Sequence, residues 1–243
     1  MQESCKRYQE RIGGKEQGCY FCGRMRANRM MNLSRRFISI IACLAVQTAY
    51  LLYYFYKYGW YDPIILAGYP FVTLIAFWIG RQWDKAVYYA ERDVLTGLYN
   101  RRSVPDRYRK AQRLASETGQ MLLVAVIDCN QFKAINDRFG HRKGDEVLAE
   151  IARGLLRGIS KRGTAARWGG DEFVVIDLCA NREQAETVID RLQSDIRSRS
   201  AAADVPFSVS VGWTLSRDAD ADWEQLLSSA DAELYTRKSK TST

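Results

Sequence analysis

The sequence of 243 residues predicts an α/β domain that follows a hairpin of two transmembrane helices. Two uncharged runs, at 37–56 and 63–80, are each about long enough to cross a bilayer as a helix. From residue 94 onward, strand-like and helix-like segments alternate, as they do when helices pack on one sheet. We therefore expect four parts: an N-terminal segment (1–36), the hairpin (37–80), a connector (81–93) and a folded domain (94–243).

The formal net charge of +8 is concentrated in the N-terminal segment, which holds nine basic residues against three glutamates. Nucleic-acid binding would spread basic residues over a folded face or mix them with stacking aromatic side chains. Here they flank an apolar run, so we expect a membrane and no nucleic acid as partner. Cys5, Cys19 and Cys22 lie in the same segment, where ordinary reduced thiols are expected and a zinc site is the alternative.

The hairpin prediction rests on length and on flanking residues. The runs have 20 and 18 residues, and tyrosine and tryptophan crowd the polar break at 57–62, as they do at membrane interfaces. Buried helices of a soluble core are the alternative, but neither run has the polar face that a soluble helix pair needs. Arg81 and Lys85 follow the second run, so the positive-inside rule places both ends of the chain in the cytoplasm.

The connector at 81–93 places Trp83, Val87, Ala90 and Val94 at helical spacing. This spacing predicts a helix that continues the second transmembrane helix into the cytosol. A short coiled-coil stalk or a helix packed on the next domain fits equally well, because the segment is too short for heptads to decide.

Hydrophobic patterns predict the elements of the folded domain in order. A continuous run of apolar, branched residues at 121–127 predicts a buried central strand, and a second apolar strand is predicted at 173–176. Alternation at 207–213 predicts a half-buried strand. Apolar residues at helical spacing predict helices around 147–155, 185–196 and 226–234.

Acidic residues follow the central strand and a pair of glycines. Asp128 ends the strand at 121–127, where a carboxylate is costly unless it is exposed or neutralised by a cation; a simple strand-end cap is the alternative. Gly169 and Gly170 precede Asp171 and Glu172 between two strand-like segments, which predicts a β-hairpin. If the strands are neighbours, the three carboxylates converge on a site with the hard oxygen ligands that suit Mg²⁺.

The order of short motifs between residues 93 and 238 resembles that of the GGDEF-domain family of diguanylate cyclases. The motifs stand at 93–102 (DVLTGLYNRR), 127–133 (IDCNQFK), 135–137 (IND), 140–141 (GH), 144–145 (GD), 169–173 (GGDEF), 210–212 (SVG) and 230–238 (ADAELYTRK). The resemblance implies a fold similar to the palm of nucleotide cyclases and polymerases, with a central, mainly antiparallel sheet flanked by helices. It also implies the condensation of two GTP into cyclic di-GMP and two pyrophosphates, at the bacterial cytoplasmic membrane.

The resemblance implies a role for each matched residue. Mg²⁺, with Mn²⁺ as the alternative ion, would be held by the carboxylates of Asp128 and Asp171 and by the backbone carbonyl of Cys129. Glu172 would act as a further ligand or as the base, and Asp171 and Glu172 are the implied catalytic residues. The implied substrate-binding residues are Phe132, Lys133, Asn136, His141, Asp145, Gly169, Gly170 and Lys238.

Among these implied substrate contacts, Asn136 and Asp145 would read the guanine edge. The backbone of Phe132 and the side chains of Lys133 and Lys238 would bind the triphosphate. His141 lies in the same loop as the guanine-reading residues, and as the single histidine of the chain it is expected to have a structural or loop-capping role.

The implied reaction needs a homodimer, because each domain holds one GTP. We expect the dimer to form through the GGDEF domain, the connector and the membrane helices. A catalytically inactive module that binds GTP or a protein partner is the alternative, and the intact acidic signature argues against it. The family's Arg-x-x-Asp product-inhibition site has no counterpart here, since 160–163 (SKRG) stands at its position. We therefore expect no feedback inhibition through that site.

Overall fold

The computed structural model describes residues 40–60, 63–218 and 220–241. The chain divides into two compact units, one of which ends at Ala90 while the other begins at Glu91 and runs to the end of the chain. The basic N-terminal segment with Cys5, Cys19 and Cys22, and the first residues of the first predicted transmembrane run, lie outside the described residues.

Two long helices form the described part of the first unit. Helix α1 spans Ile40–Tyr58, and helix α2 spans Pro63–Glu91 without a break through the predicted second span and the connector. The Tyr69 hydroxyl of α2 donates a hydrogen bond to the Gln47 carbonyl of α1. Within the described residues, only α1 is long and apolar enough to cross a membrane by length and composition. The predicted two-helix transmembrane hairpin is therefore not shown.

The second unit is built on one five-stranded sheet with the order β1-β3-β4-β2-β5. The strands are β1 (Tyr99–Asn100), β2 (Met121–Cys129), β3 (Thr164–Arg167), β4 (Glu172–Cys179) and β5 (Val209–Ser216). Strands β1 and β3 are parallel, and every other pairing is antiparallel. The sheet is thus mixed, and the prediction of a mainly antiparallel sheet flanked by helices is confirmed.

Five helices accompany the sheet: α3 (Val104–Thr118), α4 (Phe132–Phe139), α5 (His141–Gly158), α6 (Arg182–Ala202) and α7 (Trp223–Thr241). The predicted buried strands and the helices around 147–155, 185–196 and 226–234 are confirmed. Each observed element extends beyond the apolar residues that predicted it. The sequence patterns did not predict β1, α3 or α4. Strand β1 has only two residues, which are too few to show a period. Helix α3 does place Val104, Tyr108, Ala111 and Ala115 at helical spacing, but these apolar residues form a narrow face in a mostly polar segment.

Alternate side chains of β2 point into two separate cores. Leu123, Ala125 and Ile127 pack in a cluster with residues of α5 and α6, whereas Leu122 and Val124 pack in a cluster with residues of α3 and α7. A strand with both faces covered must be apolar at every position, which explains its continuous hydrophobic run. The buried Phe207, predicted within the last strand, lies just before β5.

Helix α7 lies directly on β5 at Gly212. A β-carbon built at Gly212 would be only 2.2 Å from both the Ala230 carbonyl oxygen and the Leu234 nitrogen. The glycine therefore allows two backbones to approach more closely than any other residue would permit. This approach brings the last turns of α7 to the end of β2, where Asp128 lies.

Candidate active site

The sheet register brings the predicted carboxylates together at one end of β2. Asp128 pairs with Glu172 across β2 and β4, and with Ser210 across β2 and β5. The Cys129 amide donates a hydrogen bond of 3.2 Å to the Asp171 carbonyl, which ties the turn before β4 to the end of β2. The strands that carry Asp128 and Glu172 are thus neighbours, and Asp171 lies in the turn directly before β4.

The turn between β3 and β4 is closed by backbone hydrogen bonds. The amides of Trp168 and Gly169 donate to the Glu172 carbonyl at 2.8 and 3.3 Å. The Arg167 guanidinium holds the outside of the same turn, because it donates to the carbonyl of Gly169 at 3.2 Å and to that of Gly170 at 2.7 Å. The glycine turn is therefore held by a side chain that the sequence analysis did not select.

Arg167 also joins this turn to the first motif of the domain. Its Nη1 atom lies 3.3 Å from both carboxylate oxygens of Asp93. Asp93 further accepts hydrogen bonds from the Thr96 amide at 2.9 Å and hydroxyl at 2.7 Å. Burial works against ionisation of Asp93, but the Thr96 hydrogen bonds and the Arg167 charge outweigh it and lower its pKa. The sequence signal that could have identified Arg167 is its position as a basic residue directly before the acidic turn.

The carboxylates of the turn carry raised pKa values. Burial, followed by repulsion from Asp128, raises the pKa of Asp171, while Lys238 and Arg167 oppose the rise. The pKa of Glu172 is raised by burial and then by the negative charges of Asp128, Asp171 and Asp231. Burial thus contributes most to both rises, and the neighbouring carboxylates add to it.

Lys238 reaches this cluster from the last turns of α7. Its Nζ atom lies 2.6 Å from Asp128 Oδ1, and the Lys238 and Asp128 side chains are 38% and 14% exposed. The resemblance implied that Lys238 binds the triphosphate and Asp128 the metal, and no sequence pattern indicated that the two side chains touch. A lysine ammonium group thus partly neutralises the predicted metal ligand.

Cys129 does not offer a reactive thiol to the site. Its side chain is buried, and burial, followed by the charges of Asp171 and Asp128, raises the pKa of the thiol to about 12. A neutral thiol is also a poor ligand for hard Mg²⁺. The side chain therefore belongs to the core, and only its backbone is available to the site.

The donor set fits a hard divalent cation. Within the described ranges, no three side chains of histidine, cysteine, aspartate or glutamate already stand in the geometry of a metal site. The backbones of Cys129 and Asp171 are nevertheless hydrogen-bonded, and the charge of Asp128 raises the pKa of Asp171, a repulsion that a cation would relieve. Oxygen donors alone are the ligands that Mg²⁺ and Mn²⁺ prefer.

The predicted substrate-binding residues beyond the turn lie on α4 and α5. Helix α4 starts at Phe132 after Gln131, a residue with a φ of 53°, so the free amides of its first turn lie a few residues beyond Asp128. Lys133 is exposed on this turn, and His141 is exposed at the start of α5. Asn136 packs against Gly144, and the exposed Asp145 follows directly. The structure brings these residues together in two groups: the first turn of α4, and the contact between α4 and α5.

The 160–163 turn folds around a buried carboxylate. Asp177 of β4 is 0% exposed and accepts hydrogen bonds from the Ser160 amide at 2.7 Å and from the Leu178 amide at 2.8 Å. A β-carbon at Gly163 would lie 2.7 Å from the Asp177 carboxylate. Ser160 and Gly163, which stand where the family's inhibition site would be, therefore have a structural role here.

Comparison with known proteins agrees with this geometry. The family model described as "Diguanylate cyclase, GGDEF domain" matches residues 90–243. The protein named diguanylate cyclase DosC of Escherichia coli K12 is 33% identical over 150 residues, which cover 60% of this chain and 32% of DosC. An uncharacterized signaling protein of Caulobacter vibrioides is 36% identical over 165 residues, 64% of this chain and 20% of its own length. The chain thus spans about a third or less of these relatives.

Solved structures show the same fold. The coiled coil and GGDEF domain of DgcB from Caulobacter crescentus, in complex with c-di-GMP, has a TM-score of 0.64 at 26% identity and covers 72% of this chain and 95% of its own. The diguanylate cyclase SiaD from Pseudomonas aeruginosa, in complex with its activator SiaC, has a TM-score of 0.56 at 28% identity and covers 89% and 82%. Together with the family model over residues 90–243, these likenesses show that the chain belongs to the GGDEF-domain family of diguanylate cyclases.

Proposed function

We propose that this protein is a membrane-anchored diguanylate cyclase that joins two GTP into cyclic di-GMP and releases two pyrophosphates. The observation that supports this most is the meeting of Asp128, Asp171 and Glu172 at one end of β2, with Lys238 against Asp128. The matched relatives named as diguanylate cyclases support it as well.

The reaction is a phosphoryl transfer in which each new bond replaces an old one. The 3′-hydroxyl oxygen of one GTP attacks the α-phosphorus of the other, the bond from this phosphorus to the bridging oxygen breaks, and pyrophosphate leaves with that electron pair. Glu172 accepts the hydroxyl proton, a role that suits a carboxyl group whose pKa is raised by burial and by neighbouring negative charges. A second, identical transfer closes the ring.

Other residues bind and orient the nucleotide. Asp128, Asp171 and the Cys129 carbonyl would hold Mg²⁺ or Mn²⁺, which when bound neutralises negative charge on the reacting phosphate. The free amides at the start of α4, with Lys133 and Lys238, bind the phosphates. Asn136 and Asp145 bind the guanine edge.

The same chemistry requires two copies of the chain. Each domain presents one set of these groups, and the reaction joins two nucleotides, so two domains must face each other. We propose that the GGDEF domain, the connector and the membrane helices form this homodimer.

The membrane anchor is proposed from α1 and α2. Apolar side chains are exposed on both helices, among them Val46, Leu52, Phe71 and Leu74, and the second uncharged run lies within α2. Large exposed apolar surfaces indicate burial in a lipid bilayer or in a partner. A two-pass hairpin with both ends in the cytoplasm would cover them, and it predicts that the protein resists extraction from bacterial membranes by alkaline carbonate.

The first experiment is product analysis. Detergent-solubilised protein is incubated with GTP and Mg²⁺, and products are identified by mass spectrometry beside an Asp171→Ala control. Cyclic di-GMP and pyrophosphate from the wild type alone would support the cyclase. GTP binding by a dimer without any product would refute it, and would favour a module that signals by binding GTP or a protein partner.

A further inference from the structure

The side-chain amide of Asn136 is held without any hydrogen bond. Its oxygen, Oδ1, is buried and has no hydrogen-bond partner, and within the described part of the chain the amide nitrogen makes no hydrogen bond either. A buried polar atom without a partner is unfavourable, so native structures tolerate few of them. Packing must therefore hold the amide in this position.

Gly144 of α5 provides the space that the amide occupies. A β-carbon built at Gly144 would lie 2.0 Å from Asn136 Oδ1, 3.0 Å from Asn136 Cγ and 3.3 Å from the ring of Phe132. Gly144 is a buried residue inside a regular helix, where glycine is less favourable than alanine. The glycine at this position therefore serves the contact with Asn136, because the helix itself gains nothing from it.

The contact places two complementary groups next to each other. With Oδ1 packed against Gly144, the amide nitrogen is the end of Asn136 that remains available as a donor. Asp145 follows Gly144 directly and is exposed, so its carboxylate is available as an acceptor. Guanine presents the O6 acceptor beside N–H donors, whereas adenine presents a donor in place of O6.

We propose that Gly144 is a positioning residue for base selectivity, which holds Asn136 so that Asn136 and Asp145 together accept guanine and reject adenine. The inference rests on the proposed function, since it assumes that GTP binds at this site. Gly144 itself touches no substrate and acts only through the Asn136 side chain.

The Gly144→Ala variant separates positioning from folding. Alanine favours the helix, and the new methyl group meets the end of a side chain that is able to rotate away, so Tm should stay the same or rise. The displaced amide should weaken GTP binding by roughly tenfold, the effect of losing one good hydrogen bond. Weak ATP binding, which depends on the phosphate contacts, should not change, so the ratio of GTP to ATP affinity should fall.

A double-mutant cycle tests whether Asn136 carries the effect. Binding of GTP and ATP with Mg²⁺ is measured by calorimetry on the full-length solubilised wild type, Gly144→Ala, Asn136→Ala and the double variant. We expect Gly144→Ala to lower GTP affinity in the wild type and to have no further effect once Asn136 is alanine.

Two results would overturn the inference while leaving the proposed function intact: unchanged GTP affinity in Gly144→Ala, or an equal loss with and without Asn136. If the wild type binds no GTP, the inference and the proposed function both fail. Binding is measured without turnover, so a protein that binds GTP but forms no product refutes only the cyclase.

Discussion

Replacing Lys238 with methionine should change metal binding and nucleotide binding in opposite directions. Lys238 Nζ lies 2.6 Å from Asp128 Oδ1, so the ammonium group competes for this carboxylate and repels a metal ion that binds it. Lys238 is also a proposed ligand of the triphosphate. The substitution thus frees a metal ligand and at the same time removes a phosphate ligand.

The size of the effect follows from the exposure of the pair. A hydrogen bond between charged groups contributes about 1.5–3 kcal/mol, and ion pairs at the surface contribute about 0–1 kcal/mol because water screens them. With Lys238 at 38% and Asp128 at 14% exposure, we expect about 1–1.5 kcal/mol. Since 1.4 kcal/mol corresponds to about tenfold in affinity, Lys238→Met should bind Mn²⁺ roughly tenfold more tightly without nucleotide.

Electron paramagnetic resonance of free Mn²⁺ measures this binding directly. The matched control is Lys161→Met, which removes the same charge from an exposed position in the 160–163 turn. GTP binding, measured in the same preparations, should weaken in Lys238→Met alone. Unchanged or weaker Mn²⁺ binding in Lys238→Met would refute the competition between Lys238 and the metal, and a loss of both affinities would indicate a merely structural residue.

Three further predictions concern the same end of the sheet. Folding raises the pKa of Asp171, so its ionisation costs stability as pH rises above the ordinary value of 3.8. Asp171→Asn should therefore raise Tm by roughly 1–3 °C at pH 7 and leave it unchanged at pH 3.5. In thermal melts, the same variant should no longer be stabilised by Mn²⁺. Arg167→Gln should lower kcat by at least about tenfold, because it loosens the turn. The control Arg109→Gln, at an exposed position, should leave kcat unchanged. Equal steady-state rates for Arg167→Gln and the wild type would refute this role of Arg167. Cys129 should resist iodoacetamide at pH 8 in the folded protein because its thiol pKa is about 12, and Cys129→Ala should keep Mn²⁺ affinity within about twofold.

The central strand and the acidic turn could be predicted from the sequence because their signals are local. Strand β2 is apolar at every position from Leu122 to Ile127, and two glycines followed by two acids favour a turn. The motif order added the remaining candidate site residues, including Asn136 and Lys238. By contrast, β1 was missed because two residues are too few to show a period. Helix α3 was missed although Val104, Tyr108, Ala111 and Ala115 stand at helical spacing, because most of its other residues are polar.

The predicted transmembrane hairpin rests on composition and length alone. An uncharged run of 18 residues is compatible with a bilayer and with burial in protein, because both surroundings are apolar. Helix α2 continues past this run as far as Glu91. The length of an apolar run therefore predicts a helix more firmly than it predicts what surrounds the helix.

The sequence by itself determined which residues are candidates for the chemistry, since residue types and their spacing along the chain define the motifs. Only the tertiary structure decided their partners: Lys238 against Asp128, Arg167 between Asp93 and the glycine turn, and Asn136 against Gly144. The physical reason is distance along the chain. Periodicity and turn propensity act over a few residues, whereas Asp93 and Arg167 are 74 residues apart and meet only through strand register and close packing.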